Sequence, residues 1–404
     1  MYNIFKLTNG IRLVYEKMPG VRSVSVGVWI KAGSMYETKK ESGISHFIEH
    51  MLFKGTKTRS ARDIAEETDY VGGHIDAYTS RECTCCYTKV LEENLPLSLE
   101  IISDMYYNSL FREEDIELER SVIIEEINMY EDSPEDVALD SITEHMWKGN
   151  SLGFNVAGTI ESVNGITRDM MLDYHKRRYT PENTVISVAG CFDENELISL
   201  CEKYFSQKSE SGAHPLEEVI FHSGRWVQKK DIEQSHLSIA YPSYDFYNER
   251  IYSQSVLNNI FGSSMSSRLF QSVRENHGLC YSIYSYTASF PHAGMFGIYA
   301  GLSADSVEKA YDMIEKEIHD ICTKPVSDYE IEKARSQIRC SVIMSRESVS
   351  ARMNENGKSL LLLGRVRTDD EILEKIGDVT KADILHDANY IFNSGEKAVF
   401  ILEN

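Results

Sequence analysis

The order of strands and helices legible in the first half of this 404-residue chain starts over in the second half, and this repeat constrains the fold more than any other feature. Tyr2–Leu7 and Arg12–Met18 flank Asn9-Gly10, the dipeptide that tight hairpins favour. Val21–Ala32 alternates as a further strand. A short helix follows and stops at Gly55, and Ala61–Val71 reads as a helix running into Gly72-Gly73. Residues 74–91, HIDAYTSRECTCCYTKVL, form one long alternating stretch. Helices are predicted at Leu95–Tyr107, 113–131 and Glu194–Phe205, with a short apolar strand at Asn183–Val188. Residues 206–224, SQKSESGAHPLEEVIFHSG, are rich in Ser, Gly and charge and read as a connection. The pattern then resumes with strand His236–Tyr241, helix Tyr252–Phe261, strands Tyr281–Phe290 and Met295–Gly301, and helix Ser306–Ile321. The expectation is an α+β chain of two tandem, similar domains, 1–212 and 226–404, joined by a linker at 213–225. A chain of this length exceeds what one hydrophobic core usually supports.

Composition excludes several functions. A net charge of −21 argues against binding nucleic acid or anionic membranes, because phosphate-rich surfaces repel an acidic protein. Apolar content of 42% is ordinary for a globular chain, and no apolar run approaches the ~18 residues needed to cross a bilayer. The first ten residues have neither a signal-peptide apolar region nor an Arg/Ser-rich transit character, so a cytoplasmic location is expected. Cys83, Cys85 and Cys86 cluster in a predicted strand. No second Cys pair stands at ligand spacing from them, so they read as buried thiols.

The chemistry concentrates in Gly43-Ile-Ser-His-Phe-Ile-Glu-His-Met-Leu-Phe-Lys-Gly-Thr56. At 3.6 residues per turn His46 and His50 fall about 40° apart, with Glu49 flanking them. Ile44, Phe47, Ile48, Met51 and Leu52 take the opposite side. A helix of this kind anchors in a core and shows two imidazoles and a carboxylate to one stripe. Two neutral imidazoles one turn apart are the usual start of a zinc site, and the neighbouring carboxylate can take a proton from a water on the ion. His-x-x-Glu-His is the inverted zinc-protease order. Solvated histidines on the wet face of an ordinary amphipathic helix are the plainer alternative.

Catalytic zinc sites use three protein ligands and an open position. The predicted helix 113–131 is acidic in its first turn and carries Ile116, Val122, Ile123, Ile127 and Tyr130 as its buried stripe. Glu119 and Glu126 fall inside that stripe, whereas Glu117 and Glu125 point away. Two carboxylates on an apolar side require something cationic to meet them. A metal with its histidines would serve, and so would Lys or Arg from elsewhere.

These strings, HFIEHMLFKGT and ERSVIIEEINMYEDSP, resemble the M16 metallopeptidases, the pitrilysin and mitochondrial processing peptidase group. Glu126 lies 76 residues after His50 and seven after Glu119, which matches the family's spacing. The resemblance implies that His46, His50 and Glu126 bind one zinc ion per chain and that Glu49 is the general base. It further implies that Glu119 orients a ligand histidine. It also implies tandem domains, each a mostly antiparallel sheet packed by helices.

In the second half, Val273-Arg-Glu-Asn-His-Gly-Leu-Cys-Tyr-Ser282 resembles the family's second signature, an Arg and a Tyr seven residues apart, here Arg274 and Tyr281. A guanidinium and a phenol can hold a scissile carbonyl and its developing negative charge. A surface Arg and a core Tyr is the plainer alternative. The stretch after Gly72-Gly73 resembles an edge strand that holds extended peptides by main-chain pairing, with Asp76, Ala77, Tyr78 and Thr79 in the contact positions. Most relatives have Asn where Asp76 stands. By resemblance to the two-domain branch, a homodimer is expected in which Arg274 and Tyr281 of one subunit complete the zinc site of the other. The functional expectation is a zinc endopeptidase acting on unfolded peptides or extended protein termini. The alternative from another class is a non-catalytic peptide-binding subunit of a hetero-oligomeric peptidase.

Overall fold

Eleven strands in two sheets carry the fold in the computed structural model, which describes residues 2–207 and 216–404. The first sheet contains β1 (Tyr2–Lys6), β2 (Arg12–Lys17), β3 (Ser23–Ile30), β4 (His74–Thr79), β5 (Thr84–Leu91) and β6 (Thr184–Gly190), in the order β1-β2-β6-β3-β5-β4. The second contains β7 (Gly224–Lys229), β8 (Ser235–Pro242), β9 (Cys280–Phe290), β10 (Ala293–Leu302) and β11 (Ala398–Glu403), in the order β7-β11-β8-β10-β9. Apart from β1, the two orders match strand for strand. Each sheet has a single parallel pair, β2 with β6 and β7 with β11, and every other pairing is antiparallel. The duplicated α+β architecture expected from the repeat is therefore present.

Chain order and packing do not coincide. One compact unit comprises Met1–Ile127, Phe154–Leu216 and Met344–Arg367, and the other comprises Asn128–Gly153, Glu217–Ile343 and Thr368–Asn404. Contiguous blocks at 1–212 and 226–404 are thus crossed by two exchanged segments. The helix Pro134–Met146 precedes β6 in sequence but packs on β8 and β11, while Val349–Leu363 precedes β11 but packs on β2, β3 and β6. Of the expected linker, residues 213–215 lie outside the described residues, and Gly224 and Arg225 already belong to β7.

Strand periodicity explains how each sheet accepts a layer on both faces. On β3, Val24, Val26, Val28 and Ile30 join a core with Phe47, Ile48, Leu99 and Ile102. The alternate residues Gly27 and Trp29 meet the exchanged helix Val349–Leu363. A Cβ on Gly27 would stand 2.3 Å from Met353 Sδ, and one on Gly357 would stand 2.2 Å from Trp29 Nε1. A glycine in mid-helix costs about 1 kcal/mol against alanine, so its place here is explained by this close approach. The second unit repeats the logic. Leu237, Ile239 and Tyr241 of β8 and Val399 and Ile401 of β11 enter its core, while Phe400 faces His145 on the helix Pro134–Met146 at 5.6 Å.

Two further differences from sequence expectation have local causes. Residues 74–91 are a hairpin rather than one strand, because the Ser80 hydroxyl accepts from the Glu82 and Cys83 amides while its backbone N–H donates to the Cys83 carbonyl, closing a turn without Gly or Pro. Cys83, Cys85 and Cys86 are buried free thiols. On helix Glu113–Glu131, Ile116, Ile123 and Ile127 are buried as expected, but Val122 and Tyr130 are exposed.

Candidate metal centre and active site

The motif helix, Ile44–Leu52, begins at Gly43, which has φ +90° and leaves no room for a side chain beside the Ala157 carbonyl. Its first amides are capped from a distance. Glu37, fully buried, accepts from Gly43 N at 2.8 Å and Ser45 N at 2.9 Å, placing a carboxyl at the positive end of the helix. Burial pushes that carboxyl up to about 7, against the pull of the two amide bonds. Ile44, Phe47, Ile48, Met51 and Leu52 are buried, so the helix is pinned by its apolar side and presents His46, Glu49 and His50 from the other.

Helix Glu113–Glu131 lies across from it. Arg120 fixes the register between the two. Its guanidinium stands 5.5 Å from the Phe47 ring centre and donates to the Ile166 carbonyl at 3.0 Å. Glu126 is thereby brought against the imidazoles, with its Oε2 3.6 Å from His46 Nε2 and 3.5 Å from His50 Nε2. Glu125 is exposed and turned away.

Those separations test whether the set fits a metal. Direct hydrogen bonds would be shorter, near 2.9 Å. Ligands bound at 2.0–2.1 Å in a tetrahedron stand about 3.4 Å from one another. The two distances are those of tetrahedron edges. His46, His50 and Glu126 each offer one donor atom, and these atoms all lie within 4.8 Å of one another. Two imidazoles and one carboxylate are a donor set suited to zinc with a position left for water.

The surroundings prepare the donors. Burial, reinforced by the neighbouring His50, lowers the His46 imidazole to about 4 and keeps it in the neutral form that a metal requires. His50 behaves differently: burial pulls its pKa down, but Glu126 and Glu119 outweigh this and raise it. Its Nδ1 is 3.0 Å from Glu119 Oε2, which fixes the ring so that Nε2 faces Glu126. Glu119 is itself buried and also pairs with Lys54, two residues past the C-terminal end of the motif helix. A lysine partner for a stripe carboxylate was the plainer expectation. It holds for Glu119 together with the histidine contact. His46 Nδ1 is buried and meets no protein acceptor among the described residues.

Glu49 is mostly buried, and that burial raises its carboxyl above the usual range although Thr79 donates to its Oε2 at 2.5 Å. A raised carboxyl beside the donor cluster is suited to accept and return a proton.

Thr79 ends β4, and among the described residues β4 is an edge strand paired with β5 alone. Ile75 and Ala77 pack toward the first unit's core, whereas Tyr78 stacks edge-on against Trp29 at 5.8 Å. Asp76 turns back on its own hairpin, accepting from Ala77 N at 2.8 Å and the Tyr87 hydroxyl at 3.2 Å. Arg274 and Tyr281 belong to the second unit and lie together there. The guanidinium stands 4.5 Å from the Phe270 ring and 5.6 Å from the Tyr281 ring, which is 77% exposed.

Sequence reasoning missed Lys54, Glu37 and the contact from Thr79 to Glu49. Lys54 carried a usable signal, a cation just past the end of the motif helix, only four residues after His50. The other two are made through space and leave no spacing to read.

Comparison with known proteins identifies the family. Residues 12–160 match the family described as Insulinase (Peptidase family M16), and residues 165–338 match Peptidase M16 inactive domain. The chain is 42% identical over 380 residues to the uncharacterized zinc protease YmxG of Bacillus subtilis, covering 94% of this chain and 93% of that protein. It is 38% identical over 404 residues to an uncharacterized zinc protease of Rickettsia bellii, covering 100% and 98%. The crystal structure of a protease from Helicobacter pylori shares the fold with a TM-score of 0.93 at 20% identity, covering 100% of this chain and 99% of that one. A Pseudomonas fluorescens structure described as a peptidase M16 inactive domain also reaches a TM-score of 0.93, at 14% identity, covering 100% and 98%. The region whose description carries the word inactive, 165–338, contains none of His46, Glu49, His50 and Glu126. With an inverted zinc motif in the first of two like-folded units, the chain belongs to peptidase family M16.

Proposed function

We propose that this protein is a zinc-dependent endopeptidase that cuts unfolded peptides or extended protein termini, with one zinc ion per chain. The observation that carries the reading is the pair of tetrahedron-edge distances from Glu126 to His46 and His50. Those three residues would hold the ion. When bound, zinc lowers the pKa of a coordinated water and polarises a carbonyl oxygen. Glu49 takes the proton from the attacking water and delivers it to the leaving amine. Glu119, anchored by Lys54, keeps the His50 ring in its binding orientation. Asp76, Ala77, Tyr78 and Thr79 of β4 supply an open edge on which an extended peptide pairs through its main chain, so selection by side chain is loose.

Arg274 and Tyr281 hold the scissile carbonyl as negative charge develops on it. They do so across a homodimer, each pair serving the partner subunit's zinc site. Their mutual contact and the exposure of Tyr281 support a role toward a second molecule. Free cysteines suit a reducing cytoplasm. Among the described residues no helix is long and apolar enough to cross a membrane.

Metal analysis with a peptide-library digest tests the activity. Hydrolysis is expected to vanish with a chelator and return with zinc. Glu49→Gln is expected to keep metal near one per chain while losing turnover by about a thousandfold or more. Retained hydrolysis in Glu49→Gln removes that residue from its role. Subunit mixing tests the shared site. A Glu49→Gln protein mixed with an Arg274→Ala/Tyr281→Phe protein is expected to recover activity as subunits exchange. Exchange without recovery rules the shared site out.

A further inference from the structure

We propose that Thr79 is a positioning residue for the base, and that it ties the reach of Glu49 to the strand on which the peptide lies. The inference rests on the endopeptidase reading above and adds how the base is held.

Thr79 Oγ1 lies 2.5 Å from Glu49 Oε2 and 3.3 Å from Thr84 Oγ1. The Thr84 hydroxyl proton is committed elsewhere, to the Ala32 carbonyl at 3.0 Å. The single proton of Thr79 therefore goes to the closer acceptor, Glu49. Thr79 and Thr84 face each other across the last rung of the β4–β5 hairpin. A line of contacts thus runs from the segment that follows β3, through Thr84 and Thr79, to the carboxylate. Thr84 is fully buried, which fixes the far end of that line. Threonine also suits the task better than serine alone would, since branching at Cβ restricts χ1 and so the direction of the hydroxyl.

Periodicity places this hydroxyl on a definite side of the strand. Ile75 and Ala77 pack toward the core that contains Phe47 and Ile48, and Thr79 continues that same row. The row faces the motif helix, while the free main-chain edge of β4 is left for an incoming strand. A peptide paired on that edge and the oxygen that restrains the base are then parts of one rigid element. Peptide register along β4 sets where the scissile carbonyl sits, and Thr79 sets where Glu49 waits for it. Misplacing a catalytic group by about 1 Å can cost on the order of a hundredfold in rate.

Thr79→Val keeps the shape and removes the hydroxyl, and Thr79→Ser restores it. Both are measured as zinc-loaded full-length protein with a quenched fluorescent peptide chosen from those the wild type cuts fastest. Thr79→Val is expected to lose about 10- to 100-fold in kcat with KM changed less than about twofold. Thr79→Ser is expected to return to within about threefold of wild-type kcat. Metal content and Tm are followed alongside and are expected to match the wild type in both variants. Loss confined to KM, full kcat in Thr79→Val, or no recovery in Thr79→Ser overturns the proposal. Crystal structures of zinc-loaded wild type and Thr79→Val supply a readout that needs no turnover. The Glu49 carboxylate is expected to leave its place in Thr79→Val, and an unmoved carboxylate overturns the positioning role. If the wild type itself cuts nothing, the endopeptidase reading falls, while these structures still decide the positioning claim.

Discussion

Apart from β1 the two units share a strand order, and each has a layer of helices and an exchanged helix, yet one shared element differs sharply in chemistry. The helix that follows the third strand of the first sheet, Ile44–Leu52, carries His46, Glu49 and His50. Its counterpart after β8, Ile251–Phe261, reads IYSQSVLNNIF and has no His, Glu, Asp or Cys. Two of its polar side chains are bonded to neighbouring elements. Gln254 accepts from the Ser243 hydroxyl at 2.9 Å, and Asn258 accepts from Ser285 at 2.6 Å. One copy uses Gln254 and Asn258 in internal hydrogen bonds, and the other gathers donors into a cluster whose atoms stand apart at metal-binding distance. Fold alone sets neither outcome.

The largest expected effect breaks the comparison at this element. His50→Ala or Glu126→Gln should weaken zinc binding by more than about a hundredfold, read by competition with a metal indicator. Gln254→Ala and Asn258→Ala should leave zinc affinity unchanged while each lowers unfolding stability by about 1 kcal/mol. Zinc affinity that responds equally to both sets would dissolve the distinction between the units.

A pair of glycines sharpens it. Gly357→Ala should destabilise by about 1–3 kcal/mol in urea melts, because the new methyl meets the Trp29 indole at 2.2 Å. Gly377→Ala, on the second unit's helix Asp369–Asp378 with nothing within 4 Å, should instead gain about 0.5 kcal/mol. A gain at both positions would show that the exchanged helix is not seated closely on β3.

The smallest effect concerns acid. Burial disfavours ionised Glu330, but bonds from Arg268 and Ser327 overcome it and hold the carboxyl down at about 2, below its ordinary 4.5. The folded state therefore binds this proton less readily than the unfolded one. The resulting stability is present above pH ~4.5 and is lost as pH falls toward 2. Glu330→Gln should flatten the acid limb of the stability curve between those values. The first unit's zinc affinity at neutral pH should not change. An acid limb as steep as that of the wild type would remove Glu330 from the account.

What could be read in advance follows from the range of each interaction. The motif helix was legible because its apolar and polar residues obey a 3.6 period within nine residues. Glu126 was legible in part, since a wheel separates it from Glu125. That it meets His46 and His50, rather than a lysine, was carried by family spacing. Val122 and Tyr130 show the limit of such wheels, which mark apolar residues without saying whether anything covers them. The helix Pro134–Met146 escaped notice altogether. Its sequence specifies an apolar stripe, but nothing local says that the sheet it covers is formed some 90 residues later and beyond. The hairpin at 74–91 was missed because its turn is made by the Ser80 hydroxyl instead of glycine or proline.

The reciprocal helix exchange also imposes a timetable on biosynthesis. All donors of the metal cluster have been made by residue 126, and the last strand of their sheet by Gly190. The face bearing Gly27 and Trp29 then stays bare for the roughly 170 residues of translation that bring Leu363 out, on the order of ten to thirty seconds. A nascent chain stalled before Val349 would carry all three donor side chains of the cluster on a half-dressed apolar sheet. Such a fragment is prone to aggregate through that face, whatever its donor cluster holds.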